Sequence, residues 1–74
     1  MEWDDQKIDD AILALMLLGL HDGHRAWKGF DFAALDRLHA KGLIDDPVSK
    51  AKSVLLTEDG LRRAKELAQQ LFGK

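Results

Sequence analysis

The chain has 74 residues, a formal net charge of −2 and no cysteine. This length allows one domain, residues 1–74, with only a small core to stabilise it. The lack of thiols excludes disulfides and thiolate metal sites. Stability therefore has to come from apolar packing, from self-association, or from both.

The first predicted helix covers residues 4–20, with Asp4 or Asp5 as its N-cap and Asp9 and Asp10 near the positive end of its dipole. A helix that is apolar over most of its circumference must be covered on more than one side, which predicts a homodimer. One apolar face consists of Ile8, Ile12, Leu15 and Gly19, and the other of Leu13, Leu17 and Leu20, with Met16 between them. The residues predicted at the dimer interface are Leu13, Met16, Leu17, Leu20 and Phe72.

Residues 21–30, HDGHRAWKGF, interrupt the helical pattern. Within them, residues 26–28 predict a very short strand at the edge of the sheet. We expect Trp27 and either Phe30 or Phe32 to pack on the neighbouring helices, because large rings are normally buried on at least one side. The alternative is that this aromatic and basic segment is itself part of an interface.

The second predicted helix covers residues 31–41, with Asp31 as its N-cap and Gly42 just past its end. Residues 43–44 and 50–56 then predict the two strands of a β-hairpin, joined by a polar turn that contains the proline.

The third predicted helix begins after Thr57, a good N-cap, and continues to the end of the chain. Its inner stripe is predicted to be Leu61, Ala64, Leu67, Ala68 and Leu71. The order helix, short strand, helix, hairpin, helix places the chain in the α+β class.

Two phrases, LDRLHAKGLI and SVLLTEDG, resemble the second half of bacterial winged-helix domains of the MarR or PadR kind. The resemblance covers residues 35–67 and implies a winged-helix-like fold in which the hairpin is the wing. A full winged helix has another helix where residues 21–30 lie here, so its groove-reading pair is incomplete. Over its whole length the chain is also similar to a small bacterial family of unknown function, through the phrases HDG, AWKGFD and KAKS.

DNA binding through the second helix and the wing is the alternative function to protein interaction. The residues that would contact DNA are Arg37, Lys41, Lys50 and Lys52. Residues 21–56 carry six basic and five acidic side chains, a net charge of only +1. Because duplex affinity depends on net phosphate neutralisation, DNA is not the favoured partner.

His21 and His24 resemble half of a metal site, but a site needs three or four ligands, so no metal and no cofactor is predicted. Ser49 and Ser53 have no histidine placed to activate them, so no enzyme activity is expected. The apolar run of residues 11–20 is about half the length of a membrane span, so we expect a cytoplasmic protein. The sequence thus predicts a non-enzymatic interaction module that acts as a homodimer or with another protein.

Overall fold

The computed structural model describes residues 2–74 as three helices and a two-stranded antiparallel sheet. In chain order the elements are helix α1 (Asp5–Leu18), strand β1 (Arg25–Trp27), helix α2 (Phe32–Ala40), strand β2 (Ser53–Leu55) and helix α3 (Glu58–Phe72). The predicted α+β class is confirmed.

Side-chain caps begin two of the three helices. Asp4 accepts a hydrogen bond from the N–H of Lys7 at 3.2 Å, as predicted for the first helix. Thr57 accepts one from the N–H of Gly60 at 2.9 Å and begins α3. Asp31 is the N-cap residue of α2, as predicted, but its carboxylate makes no capping hydrogen bond.

The sheet joins strands that lie on either side of α2 in the sequence. Arg25 of β1 pairs with Leu55 of β2, and Trp27 pairs with Ser53. The short strand predicted at residues 26–28 therefore exists, displaced by one residue toward the N-terminus, and it pairs with the returning strand.

The predicted wing, residues 43–56, is reduced to one antiparallel bridge between Ile44 and Leu56. The N–H of Asp45 donates to the carbonyl of Leu55 at 2.9 Å beside this bridge, and the strand that follows the loop also pairs with β1. The loop between them is held by a side chain, since the Nζ of Lys28 donates to the carbonyl of Pro47 at 2.7 Å. A winged helix needs a two-stranded wing at this place, so the structure does not confirm that topology.

A closely packed, hydrogen-bonded junction connects the end of α2 to the start of α3. The hydroxyl of Thr57 donates to the carbonyl of Gly42 at 2.7 Å, and the N–H of Thr57 donates to the carbonyl of Leu43 at 3.1 Å. Gly42 has a φ of +75°, which favours glycine. Gly60 lies directly against Leu43. The sequence segments AKGLI and LLTEDG, which suggested a winged helix, therefore form this junction.

The core is formed by side chains from all three helices and the sheet, and α1 packs against both other helices. Of the predicted inner stripe of α3, Leu71 needs correction, because it is 52% exposed near the end of the helix. The buried apolar residues are Ile12, Leu13, Ala14, Met16, Ala26, Ala34, Leu35, Leu38, Ile44, Val54, Leu56, Ala64, Leu67 and Ala68. None of the helices formed by residues 2–74 is long and apolar enough to cross a membrane.

Candidate interaction surface

The outer face of α1 is apolar for three turns. Beyond Lys7, the fully exposed residues of this helix are Leu15 and Leu18, at 45% and 67%. Ile8 and Ala11 are half-buried and complete a stripe with spacings of three, four and three residues. At 3.6 residues per turn these four positions fall within about 80° of arc. We call them the α1 stripe; their spacing is that of the contact positions between paired helices.

An apolar groove continues this surface beyond the end of α1. Its volume is about 80 Å³, and it is lined by Leu15, Met16, Gly19, Ala26, Trp27 and Phe30. Gly19 has no side chain to fill the space, so the groove remains open beside the helix end. The indole of Trp27 forms one wall and is 59% exposed. The ring of His21 stacks on this indole with centroids 4.2 Å apart and holds the wall in place.

The predicted dimer interface needs correction, because most of its residues face inward. Leu13 and Met16 are 1% and 2% exposed within the protomer, so Leu13 cannot contact a partner chain and Met16 is accessible only where it lines the groove. Leu17 and Leu20 are half-buried against the same core. Phe72 is 47% exposed near the end of α3. Helices α2 and α3 cover the face that includes Leu13, and the opposite face of α1 is the uncovered one.

The aromatic residues after α1 are less buried than predicted. Phe30 packs against the core, in agreement with the expectation for one of the two phenylalanines, whereas Phe32 is 50% exposed. Trp27 was expected to be buried but lies on the surface. The reason is that β1 alternates its side chains, and Ala26 takes the inward position.

A buried ion pair links α1 to α2. Asp9 is 1% exposed and receives two hydrogen bonds of 2.8 Å from Arg37, one from Nε and one from Nη2. Lys41 donates to the same carboxylate at 3.4 Å and to Gln6 at 2.9 Å. Asp5 lies 3.8 Å from Arg37 at the edge of this cluster. Two of the four predicted DNA contacts, Arg37 and Lys41, are therefore bound within the protomer.

The hydrogen bonds from Arg37 hold the pKa of Asp9 below its ordinary value of 3.8, outweighing burial, which acts in the opposite direction. Asp9 was predicted to act on the helix dipole, and its main role here is to bind α2. Every buried side-chain nitrogen or oxygen of residues 2–74 has a hydrogen-bond partner, so the core holds no orphan polar group that would indicate a ligand.

The histidines do not converge. His21 stacks on Trp27, His24 is exposed, and His39 lies within 3.2 Å of the carbonyl of Ile44. Over the described part of the chain, no three histidine or carboxylate side chains come together in a way that could hold a metal ion.

The helical spacing of the α1 stripe can be read from the sequence, but the opposite side of the helix has an apolar stripe with the same spacing. The sequence alone does not show which of the two stripes is exposed. Ile8, Ala11, Leu15 and Leu18 have helical spacing, and so do Leu13, Leu17 and Leu20. Only the position of the other helices determines which face is covered. The one clue was Asp9, which shares the covered face and has its cationic partners on α2.

Comparison with known proteins identifies the relatives of this chain. It is 61% identical over 72 residues to the uncharacterized protein y4hR of Sinorhizobium fredii, and the match covers 97% of each chain. No solved structure matches the chain. The family described as domain of unknown function DUF6429 matches residues 4–74. The similarity to a small bacterial family of unknown function is thus confirmed, and the chain belongs to the DUF6429 family.

Proposed function

We propose that this protein is a non-enzymatic interaction module that acts as a homodimer through the outer face of α1. The observation that carries the proposal is that, after Lys7, both fully exposed residues of α1 are leucines. A solvent-facing helix normally shows charged residues on its outer side. An exposed apolar face that continues into an apolar groove is typical of a surface that binds another protein.

The small size of the domain supports self-association. The structure has an accessible surface of 5016 Å². A standard interface buries about 800 Å² on each partner, roughly a sixth of this surface. Burying Leu15 and Leu18 in such an interface would extend a core that a chain of this length cannot make large by itself.

We expect Leu18→Glu to convert the dimer to a monomer, because each copy would place a carboxylate in an apolar contact. The matched control is Leu71→Glu, an exposed leucine on α3, which should leave the dimer intact. Sedimentation velocity over a range of concentrations measures both, and circular dichroism verifies that each variant is folded. A monomeric wild-type protein at all concentrations would refute the proposal. If Leu71→Glu separated the dimer and Leu18→Glu did not, the interface would lie at the end of α3, beside Phe72.

The alternative function is a small DNA-binding regulator. It draws on Lys50 and Lys52, which are exposed on the loop between Ile44 and β2. Two observations argue against DNA binding. Arg37 and Lys41 already neutralise Asp9, and the two remaining lysines, Lys50 and Lys52, would release few counterions from a DNA duplex.

We therefore expect affinity for random duplex DNA to be weaker than about 10⁻⁴ M at low salt, the weak limit of ordinary non-specific binding. Fluorescence anisotropy with a labelled duplex, at two salt concentrations, measures this. Tight binding that falls steeply with salt and is lost on changing Lys50 and Lys52 together to Glu would establish the regulator instead.

A further inference from the structure

Trp3 is the most exposed large apolar side chain of the described residues, at 72%. It lies two residues before α1 begins, at the opposite end of the α1 stripe from the groove. The protomer thus has an exposed indole at one end of this surface and an open apolar groove at the other. A two-fold symmetric dimer can join such a pair, because each copy supplies both halves of the contact.

The α1 stripe alone is too small for a stable dimer. From Ile8 to Leu18 it extends about 15 Å at 1.5 Å per residue. A strip of this length and about one helix wide falls well short of the roughly 800 Å² that a standard interface buries on each partner. Further apolar residues at its ends are needed, and Trp3 and Trp27 are the large exposed side chains placed there.

The distribution of charge favours an antiparallel arrangement of the two α1 helices. Asp9 is buried against Arg37, and the rest of residues 2–10 carry four acidic side chains and one basic side chain, whereas residues 21–28 carry two basic and one acidic. A parallel pair would bring two acidic ends together. An antiparallel pair places each acidic end beside the partner's residues 21–28 and also opposes the two helix dipoles.

Symmetry then determines what meets the groove. The midpoint between Ile8 and Leu18 is residue 13, so a two-fold axis at that level pairs Ile8 of one copy with Leu18 of the other and carries residue 3 past the end of the other copy's α1. The groove lined by Gly19 and Trp27 lies at this end of the helix. We propose that Trp3 of a second copy binds in this groove, so that α1 helices pair antiparallel with two such contacts in each dimer. The proposal rests on the self-association proposed above.

The groove suits the edge of an indole ring. Its lining residues are apolar, Gly19 permits close approach, and the exposed face of Trp27 offers an aromatic partner. Tryptophans buried in apolar pockets of an interface carry a large part of the binding energy, so we expect Trp3→Ser to raise the dimer dissociation constant on the order of 30-fold. Phe72→Ser, a change of an exposed aromatic outside the groove, should leave it unchanged.

Fluorescence tests the contact directly, because the chain has only two tryptophans. In Trp27→Phe, emission comes from Trp3 alone. We expect this emission to be blue-shifted and shielded from acrylamide when the protein is dimeric, and to become red-shifted and readily quenched as dilution separates the copies. A dimer in which Trp3 is quenched as readily as in the monomer would overturn the Trp3 contact and leave self-association standing. A wild-type protein that is monomeric throughout would overturn both.

Cross-linking provides a second measurement that retains both tryptophans. The chain has no cysteine, so Glu2→Cys and His24→Cys each introduce a single thiol. When the two variants are mixed, a short bifunctional thiol reagent should join Glu2→Cys chains to His24→Cys chains. Cross-linking of Glu2→Cys chains only to one another would indicate a parallel pair and overturn the proposal.

Discussion

Replacing Gly60 with alanine is expected to destabilise the fold by about 3 kcal/mol, since the added methyl group overlaps packed backbone. A Cβ at this position would lie 2.8 Å from the carbonyl carbon of Leu43 and closer still to its oxygen. That oxygen accepts the N–H of Thr57, so moving it also strains the backbone hydrogen bond between Leu43 and the N-cap residue of α3. Helix propensity alone predicts the opposite sign, because alanine in a helix is about 1 kcal/mol better than glycine.

Urea unfolding followed by circular dichroism measures the change, and Gly29→Ala is the matched control. No atom lies within 4 Å of a Cβ built at Gly29, and its φ is not in the left-handed region. The control should therefore change stability by less than about 0.5 kcal/mol, as surface substitutions usually do. If Gly60→Ala were as stable as the control, the tight approach of α3 to Leu43 would be contradicted.

The second large effect is expected at the ion pair between α1 and α2. Asp9→Ala should lower the free energy of unfolding by about 2–3 kcal/mol, because it removes a buried carboxylate that binds Arg37 twice. Arg37→Met should also destabilise the fold, since it leaves the carboxylate with Lys41 as its nearest cation. The double change Asp9→Ala with Arg37→Met should lose less stability than the sum of the two single changes, because apolar replacement of a whole buried pair is often tolerated.

The control is Asp36→Asn, which alters an exposed carboxylate on the same helix as Arg37 and should have little effect. All four variants are compared by urea unfolding at neutral pH. Losses in the double variant that equal the sum of the two single losses would show that Asp9 and Arg37 are not energetically coupled.

The same pair predicts a pH dependence with a definite sign. The pKa of Asp9 is lower in the folded protein than the ordinary value of 3.8, because Arg37 donates hydrogen bonds to the carboxylate. A carboxylate whose pKa is lower in the folded than in the unfolded protein contributes its full stabilisation at pH values above the unfolded pKa. This stabilisation is lost as the pH falls through the folded pKa. The stability difference between wild type and Asp9→Ala should thus be constant near neutrality and shrink below about pH 4. A difference that is the same at pH 3 and pH 7 would contradict this assignment.

The helices were predictable because their signals are local. The side chains of Asp4 and Thr57 cap the helices that their positions predict, and Gly42 has the positive φ expected just past a helix end. The sheet was predictable only in part. Hydrogen bonds between strands depend on residues far apart in the sequence, and the returning strand forms its ladder with β1 and only one bridge with residues 43–44.

The sequence by itself determined an α+β domain with three helices, a surplus of apolar surface on its first helix, and no thiol chemistry. It also contained the junction segments around Gly42 and Thr57, although their resemblance to a winged helix pointed to a wing that is reduced to a single bridge. Only the tertiary structure decided which face of α1 is covered, because Leu13 and Leu15 are equally apolar and burial depends on where α2 and α3 pack. That packing buries Leu13 with Asp9 against the other helices and leaves Leu15 exposed.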